Sequence, residues 1–421
     1  MPYRRVDDGR RTAPRSHREG HLGDQTSTET GAEPLNRSSQ PLLIATILRQ
    51  EGITGVHTHF QQLRRYLDES GTTATIVTPF TWSRTLAVPV FAPRLLLRHI
   101  SGSADVAWYR HWHEQFLYKA LLARLDEVQD CVIYAQCPVS ARAALRARRA
   151  PYQRVVMAVH FRTSQADEWV VDKLIKRDGA QFRAIRELER EVIPQVDGLV
   201  YVSRWAQQAL LSWLPQAASV PSAVIENFVA PLPAGSDKDP IADLVTIGNL
   251  LPAKNHRYML DVLAAARQMG RSLSLDVFGE GVLQKDLQRR TRSLGLEGQV
   301  RFRGFRRDVR DFLPHYRAYV HSSYSESSSL AIIEAMAAGL PIVAGNIGPI
   351  AELCDDGVEG RFWPLDDPSA AAKVLIDLLE DEPARQAAAR AAQQRFRRDF
   401  DADVIGPRLW SFLTKDSSPV T

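Results

Sequence analysis

Two glutamates, Glu326 and Glu334, stand eight positions apart in residues 322–345, SSYSESSSLAIIEAMAAGLPIVAG. Ser327, Ser328 and Ser329 between them are helix N-cap types that can satisfy orphan backbone N–H groups. Leu330 opens a run of strong helix formers. Gly339 and Pro341 end that helix, and residues 341–344 read as a strand buried on both faces. Free N–H groups at such a helix start, here those of Ser328, Ser329 and Leu330, form an anion site. The dipole contributes only about 0.3–2 kcal/mol, so a phosphate there needs added cations. Two carboxylates beside a phosphate would repel it, and they suit hydroxyl groups instead. A ligand with a diphosphate in the middle and hydroxyls at both ends, a sugar nucleotide, satisfies both halves. The competing reading is an exposed helix with two solvated carboxylates.

The elements that must position these groups alternate strand with helix. Residues 244–248 form a strand ending in Gly248. A loop from Asn249 to Lys254 and Asn255 follows, then a helix from Tyr258. Strands are expected at 274–279, 300–305 (with Gly304 and Phe305) and 318–323, the last delivering Glu326. Upstream, strands are expected at 41–49, 73–79, 131–137, 154–160 and 198–203. A glycine turn with Gly55 leads into a helix over 57–67, and His160 closes its strand. This alternation predicts an α/β chain with two doubly wound, Rossmann-like domains. Such sheets bind ligands at the carboxyl ends of their strands. The proline-rich segment 229–240 is the boundary between them. Residues 385–413 are helical in pattern, with Gly406 and Pro407 expected to interrupt them.

At 421 residues the chain holds two domains and a tail, residues 1–39, whose polar composition reads as disorder. A hydrophobic content of 44% with 24% charged residues is that of a soluble globular protein. No apolar run has the length of a membrane span, and the start is expected to carry no secretory leader. Three cysteines without CxxC spacing suit a reducing cytoplasm. The net charge of +4 fits anionic partners and is too small to argue for nucleic acid. His57 and His59, two apart on a helix, do not share a face and are read as surface residues. Residues 88–125 interleave arginines and histidines with Trp108, Trp112, Phe116 and leucines. Two readings stay open for them: an amphipathic segment on an anionic membrane, or a helix on the sheet with a solvated basic face.

Glu326 and Glu334, with the EAMAAGLPIVA run around the second, resemble the E-x7-E motif of retaining GT-B glycosyltransferases, specifically glycosyltransferase family 4. The resemblance implies an N-terminal acceptor domain over 40–228, a linker at 229–240, a nucleotide-sugar domain over 241–384, and a helical segment, 385–421, bracing the first domain. It implies that Glu326 contacts the transferred sugar, with His160 nearby, and that Lys254 acts on the diphosphate. Glu334 would take the ribose. Gly55, Gly248, Asn249, Ser328, Ser329 and Leu330 would contact the donor, and Gly304 and Phe305 the base. Asn249 stands for the family's arginine, Thr54 for a glycine, and Ser327 where relatives often carry glycine. Glu226 and Phe228 also depart from the segment around Asn227. The implied activity is retaining, metal-independent transfer of a hexose-type sugar from a nucleotide sugar to a glycan or lipid-linked acceptor, with no further cofactor. Expected localisation is cytoplasmic, with contact at the inner face of the plasma membrane. The alternatives are a GT-B sugar-nucleotide epimerase and a non-catalytic, donor-binding partner of another enzyme.

Overall fold

The computed structural model describes residues 40–232 and 240–415. The expected N-terminal tail lies outside the described residues, as does most of the proline-rich boundary. The first sheet holds β1 (Leu42–Ala45), β2 (Ala74–Val77), β3 (Val132–Ala135), β4 (Val155–Val159), β5 (Gly198–Tyr201) and β6 (Ser222–Val224). Its order is β2-β1-β3-β4-β5-β6, all parallel. The second holds β7 (Ala242–Ile247), β8 (Leu275–Phe278), β9 (Val300–Gly304), β10 (Tyr316–His321), β11 (Ile342–Gly345) and β12 (Gly360–Trp363). Its order is β12-β11-β10-β7-β8-β9, again parallel. The chain reverses direction across the sheet between β1 and β3 and again between β7 and β10. Loops leaving the carboxyl ends at these points diverge and leave a crevice.

The strands are apolar because helices cover both faces. Every residue of β1, β3, β4, β5 and β11 is buried. The last helix, Ala402–Thr414, crosses back onto the first domain. Its Ile405, Leu409, Trp410 and Leu413 join Leu42, Phe60 and Phe228 in one core. Leu409 is fully buried there, and Leu409→Ala should cost about 2–5 kcal/mol in a denaturant melt. A loss under 1 kcal/mol would mean the helix is not holding the domain.

Three expectations need correction. Gly406 and Pro407 do not interrupt the helix; the break falls before it, at Phe400 and Asp401. Pro407 lies on the exposed face, and Gly406 lets the helix approach the ring of Tyr66, within 2.6 Å of where a Cβ would sit. His57 and His59 are buried, because the helix Gly55–Glu69 is covered on more than one side. Residues 88–125 fall in three helices, and the longest, Gly102–Glu127, packs inward without leaving all of its basic residues in solvent. It buries Val106, Phe116, Leu117, Leu121 and Leu125 together with Arg110 and His113. Arg110 donates to Gln165 at 2.8 Å, and Arg146 and Arg142 reach Glu114 from the next helix. No helix among the described residues is long and apolar enough to cross a membrane.

Candidate active site

Lys254 arrives on the loop after β7, and Glu326 on the loop after β10, the two strands flanking the second reversal. Two sets of hydrogen bonds sew these loops together. Ser322 Oγ donates to the carbonyls of Lys254 and Asn255, at 3.0 and 2.9 Å, and Tyr324 N donates to Ala253 O at 3.0 Å. Asn255 turns the chain with a left-handed φ of 52°. The result is a direct contact: Lys254 Nζ lies 2.6 Å from Glu326 Oε1. His321 Nε2 lies 3.1 Å from the same oxygen. Burial works against charge on Glu326, but Lys254 and then His321 overcome it and hold the carboxyl well below the usual carboxylate range. Glu326 is therefore an ionised carboxylate in a recess. Its acceptance of the His321 proton leaves Nδ1 of that ring facing the Tyr319 hydroxyl at 3.4 Å.

The helix that follows runs from Leu330 to Ala337, and Gly339 leaves it with a φ of 72°. Ser329 sits at the N-cap position, but its hydroxyl makes no capping bond. Ser328 Oγ is buried without a partner. The expected serine capping is thus absent, and the first turn keeps its donors for something else. Glu334, one turn in, is pushed up to about 7 by burial, against the pull of Arg310.

The first domain closes the other side. Gly55 begins its helix opposite the helix Leu330–Ala337, and a Cβ there would sit 3.6 Å from Leu330 Cδ1. His160 follows β4, and its Nε2 lies 3.0 Å from Gln136 Oε1. The Gln136 amide nitrogen donates to Tyr134 O at 3.3 Å, which orients the amide and places the ring proton on Nε2. Burial, reinforced by His59, keeps His160 neutral by pushing it well below its ordinary value. His59 donates to Asn227 Oδ1 at 2.9 Å and accepts from Tyr134 at 3.1 Å, so both buried histidines brace this wall.

Glu326, Lys254, His160, Gly55, Gly248, Asn249, Ser328, Ser329, Leu330 and Glu334 all line one cleft of about 330 Å3. An adjoining space of about 440 Å3 adds Phe305 and Arg310 and shares Gly248, Asn249 and Glu334. Gly304 lines neither; its φ of 67° turns the chain so that Phe305 can. Phe305 N meets Glu280 Oε1 at 3.4 Å. Sequence reasoning missed Glu168, which lines the same cleft on the helix Gln165–Val171. Burial pushes its carboxyl up to about 7 against Arg162. Its only sequence signal was a place in a first helical turn, where acidic residues are ordinary. Arg310, opposite Glu334, had no signal either.

The two domains are fastened beside the cleft. Ser203 Oγ donates to Ser327 O at 2.7 Å. Glu352 of the second domain accepts from the backbone N–H groups of Arg204 and Trp205 at 2.8 and 2.7 Å, capping a first-domain helix. One carboxylate serving two orphan donors is worth about 0.5–2 kcal/mol. Glu352→Ala should therefore enlarge the radius of gyration in small-angle scattering without unfolding either domain. An unchanged profile would show that the pairing is held elsewhere.

Two family models match successive parts of the chain: Glycosyltransferase Family 4 over residues 53–231, and Glycosyl transferases group 1 over residues 235–395. A glycogen synthase of Mycobacterium tuberculosis is 28% identical over 54% of this chain and 56% of its own length. A phosphatidyl-myo-inositol mannosyltransferase of Mycolicibacterium smegmatis is 23% identical over 84% of this chain and 88% of that protein. The chain spans little more than half of the glycogen synthase. In fold it is similar to Anabaena HepE, solved with UDP and glucose, at a TM-score of 0.67 and 19% identity over 90% of this chain and 100% of that one. Sucrose-phosphate synthase of Thermosynechococcus elongatus gives a TM-score of 0.66 at 16% identity, over 89% and 98%. With paired parallel sheets of the GT-B kind, and both halves matched in order, the chain belongs to the group 1, family 4 glycosyltransferases.

Proposed function

We propose that the chain is a retaining glycosyltransferase that moves a hexose-type sugar from a nucleotide-sugar donor to a glycan or lipid-linked acceptor, in cell-surface polysaccharide or glycoconjugate synthesis. The observation that carries this reading is the Lys254–Glu326 contact of 2.6 Å beside a helix start whose donors are not capped. As the bond from the sugar to the diphosphate breaks, negative charge grows on the leaving group and positive charge on the sugar. Lys254 and the N–H groups of residues 328–330 meet the first, so they stabilise the transition state more than the ground state. The ionised Glu326 contacts the sugar hydroxyls and favours the positive centre. Glu334 accepts from the ribose, and Phe305 borders the base. Glu168, on the acceptor side, is placed to accept from an acceptor hydroxyl.

The acceptor proton passes to the departing phosphate, so the new bond forms on the face that the leaving group vacates. The test is the anomeric configuration of the product by NMR against that of the donor. A retained configuration supports the reading, and an inverted one contradicts it. Release of an epimerised free sugar nucleotide without acceptor would favour the epimerase instead. Because Lys254 and backbone donors carry the phosphate charge, the initial rate should be unchanged by EDTA within a factor of two. A loss restored by magnesium would show that the charge is met by a cation.

A further inference from the structure

The first domain opens a larger space beside the donor cleft. It holds about 860 Å3 and is walled by Phe80, Trp82, Val88 and Phe91, with Thr81 and Arg49 adding polarity. The wall is built from interlocked rings. Phe80 and Phe91 are 5.4 Å apart, Phe91 and Phe116 5.3 Å, and Trp82 and Phe116 5.2 Å. Thr78 caps the turn that carries Phe80 and Trp82 with a reciprocal capping box, so this pocket is preformed. A third space, of about 460 Å3, shares Arg49, Phe80 and Phe91 with it and shares Ile53 and Thr54 with the donor cleft. The three spaces therefore form a run, with Arg49 at the junction of the first two.

Charge along this run is one-sided at that junction. No carboxylate is among the described residues that line the large pocket. Arg49 lies 5.4 Å from the Phe80 ring centroid and makes no ion pair with the described residues. Its neighbours are already neutralised: Arg94 is held by Asp105 at 2.6 Å, and Glu51 by Arg307 at 2.6 Å. Among the described residues lining the large pocket, Arg49 is the cation without an ion pair, and a guanidinium over an aromatic face binds a planar or tetrahedral oxyanion by paired N–H groups. At and beyond the pocket's edge, Val88 of its wall and Leu86, Leu96 and Ile100 on the same two short helices are each half exposed or more. An apolar wall that continues into an exposed apolar rim fits a chain that enters from outside. A free glycan, rich in hydroxyls, would find few partners on this wall. A hydrocarbon chain, by contrast, gains with every methylene that it removes from water.

Resting on the reading of the adjoining cleft as the donor site, we propose that this pocket selects an amphiphilic acceptor: a hydrocarbon chain lies against Phe80, Trp82 and Phe91, a phosphate or diphosphate engages Arg49, and the hydroxyl-bearing end runs through the 460 Å3 space toward Glu326. Between the two acceptor classes, this favours the lipid-linked one.

The experiment is calorimetric titration of the full chain and of Arg49→Ala with four probes. These are dodecyl phosphate and dodecyl maltoside below their critical micelle concentrations, inorganic phosphate, and maltotetraose. Circular dichroism melts show whether the variant folds, and Arg49→Lys, which keeps charge but not the fork, gives a second variant. The wild type should bind dodecyl phosphate at least tenfold tighter than each other probe, and Arg49→Ala should lose at least tenfold for dodecyl phosphate alone. Equal affinity for the phosphate and the maltoside would overturn the proposal, as would an unchanged affinity in a folded Arg49→Ala or tighter binding of maltotetraose. Binding to phosphatidylglycerol vesicles without binding of monomeric dodecyl phosphate would also overturn it, because that is surface adsorption. A parallel titration with nucleoside diphosphates separates the two readings. Nucleotide binding without dodecyl phosphate binding sinks this proposal alone, and the reverse sinks the donor reading alone.

Discussion

Lys254→Ala will lower sugar transfer about 100- to 1,000-fold, the usual cost of deleting one preorganised charge at a reacting centre. The residue does two things at once. Its ammonium, 2.6 Å from Glu326 Oε1, overcomes the burial that would otherwise protonate that carboxyl. It is also the cation among the described residues that line the 330 Å3 cleft, where Asn249 carries no charge. In the proposed reaction, removing it would take away the cation that meets the leaving-group charge and would loosen the carboxylate assigned to the sugar. Glu326→Gln separates the two. It keeps shape and leaves Lys254 free for phosphate, so it should abolish turnover while a nucleoside diphosphate still binds. Lys254→Ala should damage both turnover and nucleotide affinity. Equal effects of the two variants on nucleotide binding would show that Lys254 does not touch the phosphates.

Glu334→Gln will weaken nucleotide binding about 10- to 100-fold at pH 8, in line with a hydrogen bond to a charged group. It will also flatten the pH dependence. Burial holds this carboxyl up at about 7 in the free protein, with Arg310 opposing. Ribose hydroxyls donate, so they bind the ionised form best. Wild-type affinity should therefore rise with pH through about 7 and level off above it. Each unit below costs up to tenfold. The stability of the free protein moves the other way. A carboxyl whose folded value is raised contributes stability present below its unfolded value and lost as pH rises through the folded one. The melting-temperature gain on adding nucleotide should thus grow over the same window. A wild-type affinity flat from pH 6 to 8, or one that Glu334→Gln leaves unchanged, would remove Glu334 from the ribose role.

Local chemistry made much of the donor side legible before any coordinates. Leu330–Ala337 is helical because its residues favour helix, and it stops because Gly339 takes a φ of 72°. The alternation of apolar runs with glycine turns is enough to place Lys254 and Glu326 on loops at carboxyl ends. What periodicity could not see is what covers an element. His57 and His59 do not share a helical face, which is true, yet both are buried because more than one face is covered. Residues 88–125 look basic and amphipathic, but Arg110 is buried against Gln165 and His113 against Phe80 and Phe91, contacts no periodicity shows. Pro407 stands inside a helix on its exposed face, a matter of orientation rather than type. Glu168 joins Glu326 and Lys254 only through the pairing of the domains, and Arg310 meets Glu334 only through the fold of the second domain; no local pattern encodes either.

The central claim is that a sugar nucleotide sits between the two domains with its diphosphate on Lys254. Its most direct test is the melting temperature of wild type and Lys254→Ala against UDP, GDP, ADP and their common sugar conjugates. A ligand at a hundred times its dissociation constant stabilises by about 2.7 kcal/mol. One base should raise the wild-type melting temperature, and the variant should lose most of that gain. No shift with any nucleotide, or an equal shift in both proteins, would contradict the account.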